Sequence, residues 1–190
     1  MCCHIKFEKK RCKWAQNVPE IYRKYHDEEW GKPLHDDTKL FEMLVLEGAQ
    51  AGLSWLTILK RREAYREAFD GFDIAKVANF GAEKQKELIN NQQIIRNRLK
   101  IAAAVKNAQI VLKIQKEFGS LDKYIWHFTN SKTMRFDVFP LPAKNGLSDI
   151  VSKDMKKRGM KFVGSTIIYS YLQAIGVIDD HEPDCFLYHN

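Results

Sequence analysis

No stretch of this chain approaches the roughly 20 consecutive apolar residues that a membrane-spanning helix needs, so neither a membrane span nor a membrane partner is expected. The opening run, Met-Cys-Cys-His-Ile-Lys-Phe-Glu-Lys-Lys, is too charged and too short in apolar length for a secretory signal. The expected location is the cytoplasm of a cell of bacterial type. Thiols stay reduced there, so the four cysteines are available to a metal. Cys2 and Cys3, with His4 beside them, fall in a terminus expected to be solvated, although such a trio can also bind metal adventitiously. No repeat and no low-complexity linker divides the sequence.

What is present reads as a folded protein of 190 residues, long enough for one domain with a sizeable core or for two small lobes sharing a cleft. The formal charge of +7 and a pI near 9.2 fit a polyanionic partner, though soluble proteins also carry such an excess by chance.

Apolar spacing is helical almost throughout, and strands find little support. Helices are expected over 20–30 behind Pro19, over 39–50, and over 55–69 capped by Ser54. Further ones follow Asp73 to position 80 and span 82–90. The longest periodic segment, 94–118, is stopped by Gly119. Ser120 caps 121–128, the span 130–146 with its breakers Pro140, Pro142 and Gly146 is a loop, and 148–158 and 166–175 complete an all-α chain.

Three constellations carry chemistry. The first is four soft donors near the two ends: Cys12 and His26, then His181 and Cys185. Two thiolates and two imidazoles would close a tetrahedral Zn2+ site with no open position, and one ion would tie the N-terminus to the C-terminus. The spacing alone is weak, and a buried cysteine and a core histidine are the plain alternative.

The second is aromatic. Trp14, Tyr22, Tyr25, Trp30 and Trp55 surround Glu47 in the first third of the chain, and Tyr22 and Tyr25 share a helical face. Rings flanking a carboxylate suit a flat, cationic guest. The alternative is an aromatic core with Glu47 in solvent. Against that stands the run Leu44-Val45-Leu46-Glu47-Gly48-Ala49, in which burying an unpaired carboxylate is costly.

The third is basic. Gln93 closes a turn, Asn90-Asn91-Gln92-Gln93, between two helices, and Arg96 and Arg98 follow it, where free backbone N–H groups can meet a phosphate. Lys161 ends a second basic run, Lys153 to Lys161. Either run can equally be a solvated helix face.

These residues sit in runs that resemble the DNA-3-methyladenine glycosylase I family. The resemblance is carried by Arg11-Cys12-Lys13-Trp14, by Tyr25-His26-Asp27-Glu28-Glu29-Trp30-Gly31 and by Leu40 to Trp55. It continues in Ile94-Ile95-Arg96-Asn97-Arg98, Lys156 to Gly164, Gln173-Ala174-Ile175-Gly176 and Asp180-His181, and covers nearly everything between 11 and 185. It implies a helix–hairpin–helix glycosylase that excises 3-methyladenine from alkylated double-stranded DNA, as a monomer. A flexible extension (1–10) would precede a single domain (11–190) of two helical lobes around a base pocket. It implies a structural zinc on Cys12, His26, His181 and Cys185. It also implies a pocket of Trp14, Tyr22, Tyr25, Trp30, Glu47 and Trp55, with Glu47 and Tyr25 acting on the base. DNA would be met by Gln93, Arg96, Arg98 and Lys161. No pocket lysine or aspartate suggests a nucleophile or sugar-supporting carboxylate, so a monofunctional hydrolase is expected. One departure stands out: Gln93 occupies a turn position where the family often has glycine, which bears on how closely the backbone can approach a phosphate.

Two rivals remain at this point. A non-catalytic nucleic-acid binder would have no use for Glu47 among rings, and a small-molecule binder would show no steep salt dependence toward DNA.

Overall fold

The computed structural model describes residues 9–188; Cys2, Cys3 and His4 lie outside them. Ten α-helices are present among the described residues, with no strand and one isolated bridge, Met134 to Ile178. None is long and apolar enough to cross a membrane.

Helix α1 (Glu20–Glu28) starts behind Pro19, whose φ of −54° presets the entry; Pro19 is the cap rather than the first helical residue. Helix α2 (Asp37–Gln50) begins where the Asp36 side chain accepts from the Lys39 N–H at 2.8 Å. From Leu40 to Ala49 every residue of α2 is buried, so this helix runs through the middle of the molecule rather than along its edge. Its position is what takes Glu47 out of water.

The helix expected over 55–69 is two. Helix α3 (Trp55–Leu59), capped by Ser54, stops at Lys60, and α4 (Arg62–Ala68) restarts after Arg61. The turn between them lets Arg62 and Arg66 reach the buried carboxylate of Glu42 at 2.5 and 2.9 Å, with Arg62 also on Glu29 at 2.7 Å. A carboxylate so enclosed requires partners, and the change of direction supplies two guanidinium groups.

Helix α5 (Ile74–Ala78) and α6 (Ala82–Asn90) follow, and then α7 (Arg98–Phe118). The last starts four residues later than its apolar pattern predicts. Asn97 accepts from the N–H groups of Leu99 and Lys100, and Ile95 donates its N–H to the Tyr65 hydroxyl, so 94–97 is pinned as a connection. Helix α8 (Leu121–Trp126) passes into a 3-10 turn, His127–Thr129. Helix α9 (Gly146–Lys157) begins two residues before Ser148 because Asn145 and Ser148 form a reciprocal capping box.

Helix α10 (Ser165–Ala174) ends at Gly176, φ +71°, where a Cβ would lie 2.2 Å from the Lys32 carbonyl carbon. That close crossing admits only glycine. It lets 31–34 run beside the end of α10, with Gly31 and Leu34 donating to Gln173 and Ile175. Buried apolar residues from Cys12 to Cys185 form one continuous core.

Candidate base pocket and metal site

The aromatic and acidic positions singled out in the sequence converge. Trp14 stands on a 3-10 turn (Lys13–Ala15), Tyr22 and Tyr25 on α1, Trp30 just beyond it, Glu47 on α2 and Trp55 at the start of α3. Together they line a cavity of about 190 Å³. The rings make its wall: Tyr25 against Trp55 with centroids 5.3 Å apart, and Trp14 against Tyr22 and Trp30 at 5.3 and 5.0 Å. Four further residues line it, namely Gln50, Leu141, Ser170 and Gln173. Gln50 lies one helical turn beyond Glu47 and could have been found by spacing. Leu141 comes from the 130–146 loop and the other two from α10, and no local pattern announces them.

Glu47 is 3% exposed, and its Oε2 has no hydrogen-bond partner among the described residues. Burial without a partner pushes its carboxyl up to about 8. Burial, then the Glu47 charge, also pushes the Tyr25 and Tyr22 hydroxyls up, so both stay protonated donors at neutral pH. The Trp55 indole Nε1–H is buried and unpartnered as well. The cavity thus offers one idle acceptor and one idle donor inside a wall of rings. Such groups are costly to leave unmet, and a planar polar guest would meet them. Neither lysine nor aspartate lines it.

At the other side of the Trp30 ring are the four soft donors. Cys12 Sγ, Cys185 Sγ and a His26 ring nitrogen lie within 4.8 Å of one another, with Cys185 Sγ 3.5 Å from His26 Nε2. The His181 ring stands edge-on to His26 at 5.3 Å between centroids, outside that close group of three, and its buried Nε2 has no partner. Each imidazole is held through Nδ1 by a carboxylate, His26 by Asp27 at 2.8 Å and His181 by Asp179 at 2.6 Å. Holding Nδ1 in this way leaves Nε2 free as a ligand atom. Burial holds His26 below its usual range, in the neutral form a metal requires, and pushes the Cys12 thiol up in the absence of a cation. The donor set fits a metal ion.

The chain ends are also tied without one. Phe186 donates its N–H to Lys10 O at 2.8 Å, Lys13 to Glu182 Oε2 at 3.0 Å, and Glu182 to Cys12 Sγ at 3.3 Å. Phe186 lies under the Lys9 ammonium at 4.5 Å.

Gln93, Arg96, Arg98 and Lys161 are all exposed. Gln93 and Arg96 occupy the connection from α6 to α7, and Arg98 opens α7. Gln93 keeps a negative φ, and its N–H is taken by Asn91 Oδ1 at 2.9 Å. The turn therefore makes no demand for glycine at this position, but one N–H that could have met a phosphate is already used. Lys161 lies far off in sequence, yet Asn107 of α7 grips its backbone from both sides at 2.9 Å. Its neighbour Phe162 packs on Gly48 of α2, one residue from Glu47.

With this geometry in hand, the likeness to known proteins is extensive. A family model described as methyladenine glycosylase matches residues 14–188. A Haemophilus influenzae DNA-3-methyladenine glycosylase is 46% identical over 178 residues, covering 92% of this chain and 96% of that one. The Escherichia coli K12 DNA-3-methyladenine glycosylase 1 is 44% identical, covering 94% and 96%. Among solved structures, a crystal structure of 3-methyladenine DNA glycosylase I superposes with TM-score 0.89 at 42% identity, covering 94% of this chain and 99% of that one. The Staphylococcus aureus enzyme, solved to explain its recognition of 3-methyladenine, gives TM-score 0.88 at 39% identity over 93% and 95%. The chain belongs to the methyladenine glycosylase family, and is an enzyme of the DNA-3-methyladenine glycosylase class.

Proposed function

We propose that this enzyme removes 3-methyladenine from alkylated double-stranded DNA by rotating the nucleotide out of the helix into the cavity around Glu47. A base inside a duplex is out of reach, and extrusion costs a few kcal/mol, least for a damaged base. Stacking on aromatic rings, of order 1–3 kcal/mol per base, offsets much of that. The observation that carries the reading is the buried, unpartnered Glu47 oxygen in a ring-lined cavity.

Adenine methylated at N3 while attached to sugar is cationic, so its glycosidic bond is already weakened and the base departs neutral. Strong acid catalysis is not needed. Glu47 accepts hydrogen bonds from the amino edge and, once ionised, complements the positive charge. Tyr25 positions the base, while Trp14, Tyr22, Trp30 and Trp55 enclose its faces and keep water from competing. With no lysine in the lining, water takes the sugar carbon and the DNA strand stays intact.

In this reading α6, the 91–97 connection and α7 act as a helix–hairpin–helix element. Gln93, Arg96, Arg98 and Lys161 meet phosphates of the duplex. Cys12, His26, His181 and Cys185 would hold one zinc ion, whose contribution is structural because four protein ligands leave no position for water. Residues 11–190 act as one domain of two lobes, as a monomer in the cytoplasm.

The test is chromatography of bases released from methylated DNA. Glu47→Gln is expected to slow 3-methyladenine release at least 100-fold while its affinity for undamaged DNA changes less than threefold. Equal loss of both would remove Glu47 from base recognition.

A further inference from the structure

Gln173 lines the same cavity, and its side chain is oriented from behind. Its Nε2 donates to the buried Asp180 Oδ2 at 2.7 Å, and the Tyr169 hydroxyl donates to the same oxygen at 2.6 Å. All three residues are buried. The main chain is fixed too, because Gln173 O accepts the Gly31 N–H at 2.9 Å. An amide whose nitrogen is committed to a carboxylate must turn its oxygen the other way, since a carboxylate only accepts. No donor reaches Gln173 Oε1 among the described residues. Gln50, the other amide in the lining, has no side-chain partner among them and can turn either way.

We propose that Gln173, locked by Asp180, decides between purines that carry an amino group at carbon 6 and purines that carry a carbonyl there. This rests on the cavity being the base pocket. An amino group has two N–H bonds, so it can serve Glu47 and Gln173 Oε1 together. A 6-oxo purine brings lone pairs to the carbonyl of Gln173 and leaves that acceptor buried and unmet. Sites built around a fixed hydrogen bond reject the analogue that lacks it far better than apolar pockets reject a change of size. Gln173 is the specificity residue. Asp180 is a positioning residue that acts through it, with Tyr169 holding Asp180.

The experiment uses DNA methylated so that it carries both 3-methyladenine and 3-methylguanine. Wild type, Asp180→Asn and Gln173→Met are compared by the ratio of the two bases released, after each protein's melting curve is recorded. An asparagine at 180 can donate as well as accept, so the Gln173 amide is free to invert. The 3-methylguanine to 3-methyladenine ratio is expected to rise about tenfold or more. Gln173→Met removes the acceptor without supplying a donor and is expected to raise the ratio about threefold. A loss confined to packing would slow both releases and leave the ratio where it was. Should Asp180→Asn fail to fold, the near-isosteric Gln173→Met decides alone. Release of 3-methyladenine with a ratio within 1.5-fold of wild type in the folded variants would overturn the proposal by itself. Release of neither base by wild type would remove the base-pocket reading, and this one with it.

Discussion

Glu47 is held where ionising it is unfavourable, and that has a stability consequence separate from catalysis. Its carboxyl lies at about 8 in the fold against 4.5 in an open chain, so the protonated form is the one the fold prefers. The stabilisation is fully present below pH 4.5 and is lost progressively as pH rises through 8. The loss is on the order of 5 kcal/mol at most. Glutamine at 47 stays neutral throughout. Glu47→Gln should therefore melt about 5–10 °C above wild type at pH 9, with the gap closing toward pH 5. Parallel melting curves across that range would mean that the carboxylate is already solvated or paired. The site was legible in the sequence to the extent that residue types reveal it: rings around one carboxylate in an apolar run. Leu141, Ser170 and Gln173 escaped because they join the cavity from about 90 to 125 positions away, through packing that no short window encodes.

At the scale of elements, helix existence followed from apolar period, while helix ends followed from single capping residues. Asn97 moved the start of α7 and Asn145 the start of α9, in each case where a side-chain oxygen takes over N–H groups the helix leaves free. The break between α3 and α4 was invisible because the apolar spacing continues across it. Its cause is a tertiary ion-pair network on Glu42. The α6–α7 connection owes its interest to what it exposes. If Arg96 and Arg98 each neutralise one phosphate, replacing either by alanine should weaken binding to damaged and undamaged duplex alike. The slope of log affinity against log salt should fall by about 0.9 per residue. An unchanged slope would place these side chains off the DNA.

At the scale of the molecule, the two chain ends meet beside the base pocket, and the Trp30 ring touches both. It packs on Trp14 in the cavity wall and on His181, at 4.8 Å, among the soft donors. A metal there would stiffen the wall as well as join the ends. If the four donors hold zinc as proposed, Cys185→Ser should release it and cost on the order of 3 kcal/mol, about 10 °C in Tm. This is less than in an isolated zinc finger, because Lys10, Lys13 and Glu182 also hold the ends. A full equivalent of zinc in the purified variant would take Cys185 out of the ligand set.

The proposed contact between the enclosed carboxylate and the damaged base is most directly tested by carbon-13 NMR of labelled glutamate, with Glu47 assigned by its loss in Glu47→Gln. In the free protein its carboxyl carbon should titrate near 8. Saturating 3-methyladenine should lower that midpoint, since hydrogen bonds donated to the carboxylate favour its ionised form. A resonance that titrates near 4.5 and ignores the added base would contradict both the burial of Glu47 and its part in recognition.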